Sequence, residues 1–322
     1  MRKTRFVVGW ATVLLLFYGS WATTQAGAAP KTGRAAIAAR ASLDPETGLS
    51  NDGAVLPAPE VSRHGVDGHR GTGKLSPTVG TPDNKTDPSS NGRESVIGND
   101  DRTQVTNTTS FPNSAIVRIS FSAGSCTGWL INANTVATAG HCVAPGGTGG
   151  FYDVTTYTIA PGQNGSTQPF GTCGARRLFS VVGWTDSGNE AFDYGAIKLK
   201  CNIGNTTGWF GFFWTTADLA GSAATVTGYP GDKPFGTNWT HSLSIAVNGN
   251  EQLFYLIDTA PGQSGSPVWK QEQPGLCSGG CGMAIHAYGV HGTTSPHSDN
   301  NHGTRITEAR FNNLINWRNA PK

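Results

Sequence analysis

No block of lysine and arginine stands in these 322 residues that could neutralise a run of phosphates, and charged side chains make up only 14% of the chain. Arg2, Lys3 and Arg5 form a basic start, residues 29–94 carry eight basic and eight acidic side chains, and residues 95–322 carry twelve against thirteen. The part beyond residue 94 is therefore close to −1, and nucleic acid is not expected as a partner. Long apolar runs are scarce as well. The one at residues 6–18 is short for a membrane span, which needs about 20 residues. It follows the basic start and precedes the small residues Ala26, Gly27 and Ala28, the pattern of a secretory signal. Residues 1–28 are expected to be removed, leaving a secreted, extracellular protein without a membrane attachment. No internal repeat at a solenoid or propeller period is present.

Six cysteines in an exported chain are most simply three disulfides, which the sequence alone could pair in fifteen ways. Residues 29–94 are rich in Pro, Gly, Ser, Asp and Lys, hold few aromatics and show no sustained apolar period. Such a stretch is not expected to bury enough surface to offset its ordering entropy. Following a signal, it reads as a propeptide rather than a plain linker.

From about Val96 onward, short β-type runs alternate with Gly, Asn, Ser and Pro. Val117, Ile119 and Phe121 alternate as in a half-buried strand. Residues 128–131, 135–138, 194–199, 225–227, 253–257 and 266–269 read as further strands. The fold class is all-β, a barrel or sandwich. One helix is expected at the end, capped by Thr307 and burying Phe311, Leu314 and Ile315 on one face.

Two strings carry chemistry. Gly262-Gln263-Ser264-Gly265-Ser266-Pro267 holds a glycine-flanked serine, and Thr138-Ala139-Gly140-His141-Cys142 holds a histidine upstream of it. Serine stays protonated near neutral pH, so it needs a base, and histidine can take its proton and return it. A third group must then fix the imidazole tautomer. Asp153, Asp186, Glu190, Asp193, Asp218, Asp232 and Asp258 are the candidates between or near the two. Asp193 is selected because it enters a strand through apolar neighbours, Ala191-Phe192-Asp193-Tyr194-Gly195-Ala196-Ile197, whereas Asp186 and Asp232 sit in polar turns. Gly262 and Ser264 offer backbone N–H groups for an oxyanion. Singly, these could be a strand histidine, a turn serine and a capping aspartate; together those readings need three coincidences in the right order.

The order His141–Asp193–Ser264 is that of chymotrypsin-like enzymes, and residues 95–322 resemble the chymotrypsin-like serine proteases, in particular their glutamyl endopeptidase branch. The resemblance is carried by Ser95 to Arg102, the Cys126 segment, Thr138 to Cys142, Phe192 to Leu199, Gly228-Tyr229-Pro230-Gly231-Asp232, Asp258 to Val268, Ala284-Ile285-His286 and Gly303 to Thr307. It implies two six-stranded antiparallel β-barrels meeting near residues 205–220, an active site in the cleft between them and a C-terminal α-helix. It also implies the disulfides Cys126–Cys142 and Cys277–Cys281; Cys173 and Cys201 depart from the pattern, and their pairing rests on parity.

Specificity is contested within the sequence. Asp258 stands where trypsin-like enzymes keep an acidic pocket base, which would mean cleavage after Lys or Arg. Thr259 and His286 stand where glutamyl endopeptidases bind a substrate carboxylate, and both can donate hydrogen bonds to one. His286 decides in favour of acidic residues, since an imidazole there would crowd a cationic side chain. The Glu94–Ser95 junction supports this, because such an enzyme could cut its own chain there, although Arg93 would suit a trypsin-like processing enzyme. The resemblance further implies that the new terminus at Ser95 assists substrate binding. Gln263 precedes the serine, so the chymotrypsinogen device of an aspartate pairing with the new terminus is not available.

Rival readings are weaker. Cys277, Cys281, His286 and His291 suggest a zinc set only superficially, because their spacing is too short for a finger and export favours disulfides. His297 and His302 lie in a polar loop and are expected to be solvated. No metal and no cofactor is expected. Nine tryptophans could indicate a carbohydrate-binding module, but Trp129, Trp184 and Trp269 fall in strand-like runs, as core residues do. An inactive protease-like binding protein would usually lack a triad member. The expected protein is a monomeric endopeptidase acting on protein or peptide substrates, with Asn107 and Asn238 as glycosylation sites if the host has the machinery.

Overall fold

The structure, a computed structural model, describes residues 32–83, 85–88 and 94–322; the segment read as a signal, residues 1–28, lies outside them, as does Arg93. Strands β1 (Ile116–Phe121), β2 (Gly124–Leu130), β3 (Thr135–Thr138), β4 (Thr158–Pro161), β5 (Cys173–Val181) and β6 (Gly195–Leu199) form the first barrel. Their order is β6-β3-β2-β1-β4-β5, and pairing of β5 with β6 closes the ring. The second barrel contains β7 (Ala223–Gly228), β8 (Trp239–Asn248), β9 (Gln252–Tyr255), β10 (Pro267–Lys270), β11 (Cys281–Tyr288) and β12 (Asn301–Arg305). It runs β10-β7-β8-β9-β12-β11 and closes through β10 with β11. Counted from its own first strand, each barrel follows the same order. The duplication is a property of topology that the side-chain sequence does not display.

Period-two alternation builds these strands, but burial exceeds it. Val117, Ile119 and Phe121 are fully buried as expected, yet Ile116 is too, and Arg118 is only 8% exposed. The outward face of β1 is covered by β7 and by residue 83, whose carboxylate meets the Arg118 guanidinium at 2.6 Å. Trp129 is fully buried and Trp269 lies on β10, whereas Trp184 occupies a one-turn helix, Val182–Thr185, rather than a strand. That turn lets its indole Nε1–H reach the carbonyl of Ala144 at 2.9 Å.

Residues 32–83 depart from the coil expected of them. They contain a helix, Thr32–Arg40, and short strands that extend both barrels. Gly48–Ser50 pairs with β5, and Gly65–Val66 pairs with Gly211–Phe213, itself parallel to β11. Composition predicted too little apolar surface for independent folding; what orders the segment is backbone pairing onto sheet edges already formed, which needs little apolar surface of its own.

The C-terminal helix, Glu308–Asn319, packs on the first barrel with Phe311, Leu314, Ile315 and Trp317 buried. Each such side chain contributes about 1.5–3 kcal/mol. Thr307 holds the N-cap position, but its hydroxyl makes no capping hydrogen bond. Disulfides join Cys126 to Cys142, Cys173 to Cys201 and Cys277 to Cys281. Asn238 is fully buried, whereas Asn107 is exposed to solvent.

Candidate active site

The cleft is assembled from strand ends. His141 lies in a tight turn, Gly140–Cys142, directly after β3, and Asp193 precedes β6. Pairing of Gly195 with Thr138 sets these two strand ends side by side. Asp193 then holds His141 twice: Oδ1 accepts the backbone N–H at 2.8 Å, and Oδ2 lies 2.7 Å from Nδ1. The Cys126–Cys142 bridge ties the same turn to β2. Its sulfurs are therefore spent, and His141 has no thiolates beside it that could hold a metal.

Ser264 ends the turn leading into β10, flanked by two glycines with positive φ, Gly262 at +102° and Gly265 at +86°. A side chain at 265 would also meet the Thr127 carbonyl and the Thr138 hydroxyl, each at 2.1 Å, so the approach of the nucleophile turn to the first barrel requires glycine. Ser264, His141 and Asp193 are all buried, although only His141 and Asp193 are bonded to one another.

The reason is that chain from before residue 95 fills the cleft. Ser264 Oγ donates to a Glu94 carboxyl oxygen, and Glu94 is itself 5% exposed. Asp87 Oδ1 is 3.3 Å from His141 Nε2, and its Oδ2 accepts the Gly262 N–H at 3.1 Å. Burial alone would push the His141 ring pKa down; the Asp193 and Asp87 carboxylates outweigh it and hold it well above the ordinary histidine value. Burial, reinforced by the Asp87 charge, holds the Glu94 carboxyl well above the usual carboxylate range.

Beside the serine, His286 on β11 is fully buried, with Tyr255 Oη 2.7 Å from its Nδ1. Burial, with His302 next, pushes the His286 pKa down to about 3, so the ring is neutral. Burial also keeps Tyr255 a protonated phenol. The tyrosine must therefore donate to Nδ1, which leaves the proton of His286 on Nε2. That Nε2, the Thr259 hydroxyl and the second Glu94 oxygen are all buried without a hydrogen-bond partner among the described residues.

The two remaining residues from the specificity question also have clear places. Asp258 is 1% exposed, and its two oxygens accept the backbone N–H groups of Ile97 at 2.8 Å and Asp101 at 2.9 Å. It anchors the segment after residue 95 and is not free to serve as a pocket base. Ser95 lies at the pocket: its N–H donates to Asn301 Oδ1 at 3.0 Å and its carbonyl accepts the Thr259 N–H at 3.1 Å. Gln263 accepts from the Ala260 N–H at 3.0 Å and from Arg102 at 3.3 Å, in place of the missing aspartate.

Sequence reasoning missed Asp87, Tyr255 and Arg102. Asp87 sits in a polar stretch, Tyr255 in an ordinary strand pattern, and only folding reveals what each faces. His302 also corrects an expectation, because it is fully buried rather than solvated, and it faces Glu190, His291 and His297. It lies within β12, whose pairing to β9 and β11 covers it.

The trypsin-like peptidase domain family matches residues 126–274 of the chain. A glutamyl endopeptidase of Bacillus licheniformis is 49% identical over 252 residues, 78% of each chain. A protein of Bacillus subtilis strain 168 named extracellular metalloprotease is 38% identical over 296 residues, 88% of this chain and 90% of that one. Among solved structures, a Glu endopeptidase in complex with MPD superposes with a TM-score of 0.61 at 32% identity, covering 70% of this chain and all of the other. No helix among the described residues is long and apolar enough to cross a membrane.

Proposed function

We propose, for a chain that belongs to the glutamyl endopeptidase type of trypsin-like serine peptidases, that it cuts polypeptides after acidic residues, mainly glutamate. The observation that carries this specificity is the pair of unsatisfied donors, His286 Nε2–H and the Thr259 hydroxyl, buried beside the serine. A buried donor without a partner costs roughly 1–3 kcal/mol, and a substrate carboxylate would satisfy both. A lysine or arginine side chain brings only donors and would leave them unpaired. The trypsin-like alternative loses its pocket base, because Asp258 is occupied by backbone amides.

In the proposed reaction Ser264 Oγ attacks the carbonyl carbon of the scissile bond while His141 Nε2 takes its proton. Asp193 holds the ring by Nδ1 and stabilises the imidazolium. The Gly262 and Ser264 N–H groups receive the negative oxygen, a role supported by the Asp87 carboxylate oxygen already seated on the Gly262 amide. His141 then returns the proton to the departing amine, giving an acyl-enzyme, and activates a water that releases the acid by the same path in reverse.

Residues 29–94 are proposed to be an inhibitory propeptide, exported behind the signal in residues 1–28. The support is that Glu94 and Asp87 occupy the nucleophile, the base and the oxyanion amide at once. Cleavage at Glu94–Ser95 would empty the cleft and leave an ammonium at Ser95, whose nitrogen is held by Asn301 next to Thr259. The positive charge would then favour an acidic substrate residue. A peptide series differing only at the residue before the scissile bond tests the specificity, with kcat/KM expected to be highest for Glu. Faster cleavage after Lys or Arg would overturn it.

A further inference from the structure

Away from the triad, four side chains from both barrels converge in a way the peptidase reaction does not use. Glu190 lies in the turn Glu190–Phe192, three residues before Asp193. His291 and His297 come from the loop that leaves β11, and His302 from β12. One nitrogen or oxygen of each lies within 4.8 Å of all the others. Glu190 Oε1 is 2.5 Å from His302 Nε2, and Oε2 is 3.2 Å from His291 Nε2. The three imidazole rings stand 5.0–5.3 Å apart, centroid to centroid.

The geometry points to a transition-metal site of three imidazoles and one carboxylate, suited to Zn²⁺, that clamps the two barrels together beside the active site. Three features go beyond a hydrogen-bonded cluster. First, a single carboxylate stands against three imidazoles, and two of them reach its two oxygens. Second, the groups around the cluster orient the ligands. His291 Nδ1 is 2.9 Å from the Gly289 carbonyl, which holds the proton on that nitrogen and leaves the Nε2 lone pair towards Glu190. Gln252 bonds both Glu190 and His297, each at 3.2 Å. Third, His302 is fully buried and turns its Nε2 towards Glu190 inside the cluster.

Nitrogen-rich donors favour Zn²⁺, Cu²⁺ or Ni²⁺ over Ca²⁺ or Mg²⁺, which prefer oxygen. With metal–ligand bonds of about 2.0–2.1 Å, the donors of a tetrahedral site stand roughly 3.3 Å apart. The present spread therefore has to tighten by up to about 1.5 Å. His291 and Glu190 can supply that movement, because their side chains are 29% and 32% exposed and lie in loops, and the same exposure admits the ion. The site adjoins the catalytic cleft through Tyr288, whose ring stacks on His302 at 5.4 Å and lies 6.1 Å from that of His141. A bound ion would fix the turn that carries Asp193 to the second barrel. Its role is structural, and the peptide-cleaving chemistry stays with the serine.

The test uses the full chain carrying Ser264→Ala, which removes self-digestion, freed of metal with EDTA and titrated with ZnCl₂ by calorimetry. One equivalent is expected to bind saturably and to raise Tm. Co²⁺ in its place should give the visible bands of a four- or five-coordinate nitrogen–oxygen site. Glu190→Gln, and separately His291→Ala with His297→Ala, should lose that equivalent and the Tm rise. These side chains are partly exposed, so their metal-free Tm reports whether folding is intact. If the double variant fails to fold, Glu190→Gln alone decides. No saturable Zn²⁺ binding, undiminished binding in the variants, or a Tm rise from CaCl₂ equal to that from ZnCl₂ would each overturn the proposal.

Discussion

Single side chains in this protein owe their chemistry to what faces them. Ser264 is the plainest case: Ser264→Ala should abolish peptide hydrolysis while leaving the free energy of unfolding within about 1 kcal/mol of the parent, since one small hydroxyl is lost. Measurable turnover by a folded alanine variant would remove Ser264 from the reaction. Tyr255 is subtler, because in the proposed reaction it acts only through His286. Its hydroxyl donates to His286 Nδ1 and so leaves Nε2–H for the proposed substrate carboxylate. In Tyr255→Phe the ring is free to take the other tautomer, which presents a lone pair to an anion. A fall in kcat/KM of about tenfold is expected for a Glu substrate, the value of roughly one hydrogen bond. The loss should be smaller for a substrate with neutral glutamine there. An equal loss for both substrates would mean that Tyr255 only supports packing.

At the scale of elements, residues 48–66 add edges to both sheets, and Asp87 and Glu94 plug the cleft. Docking of the segment that carries them should depend on pH in a definite direction. Glu94 is held protonated above its ordinary range, so the docked state binds more protons than the released one. The share of the His141 shift that Asp87 supplies acts the same way, being present at low pH and lost as pH rises through the raised value. Both contributions weaken docking as the solution becomes alkaline. Binding of the separate segment 29–94 to the processed enzyme should therefore be tighter at mildly acid than at alkaline pH. Asp87→Asn should flatten the slope, and tighter binding at alkaline pH would contradict a protonated Glu94.

Across the whole molecule, two barrels of one topology meet so that each supplies part of the site. The first brings His141 and Asp193 at adjoining strand ends; the second brings Ser264, Thr259 and His286. The cluster of Glu190 with His291, His297 and His302 crosses the same boundary. The C-terminal helix returns to the first barrel, where Trp317 stacks on Phe179 with centroids 5.9 Å apart. The Arg310 guanidinium donates at 3.1 Å to Glu46, so the C-terminal helix is tied to the segment that pairs onto the first barrel.

The sequence by itself determined the reaction class and the fold. A serine between glycines, a histidine in an Ala-Gly setting and an aspartate among apolar residues are local patterns, set by backbone conformation and burial that neighbouring residues impose. Short alternating runs broken by glycine announced the strands for the same reason. Only the tertiary structure decided which residues share a face of the cleft, because that depends on strand register and on sheet closure over long separations. It took Asp258 out of the pocket by giving its oxygens to backbone amides. It also set the proton of His286 through Tyr255, placed Glu94 on the serine and Asp87 on His141, and gathered with His291 two histidines, His297 and His302, that the polar loop sequence had assigned to water. Spacing along the chain carries none of this, since each of these groups meets its partner through folding alone.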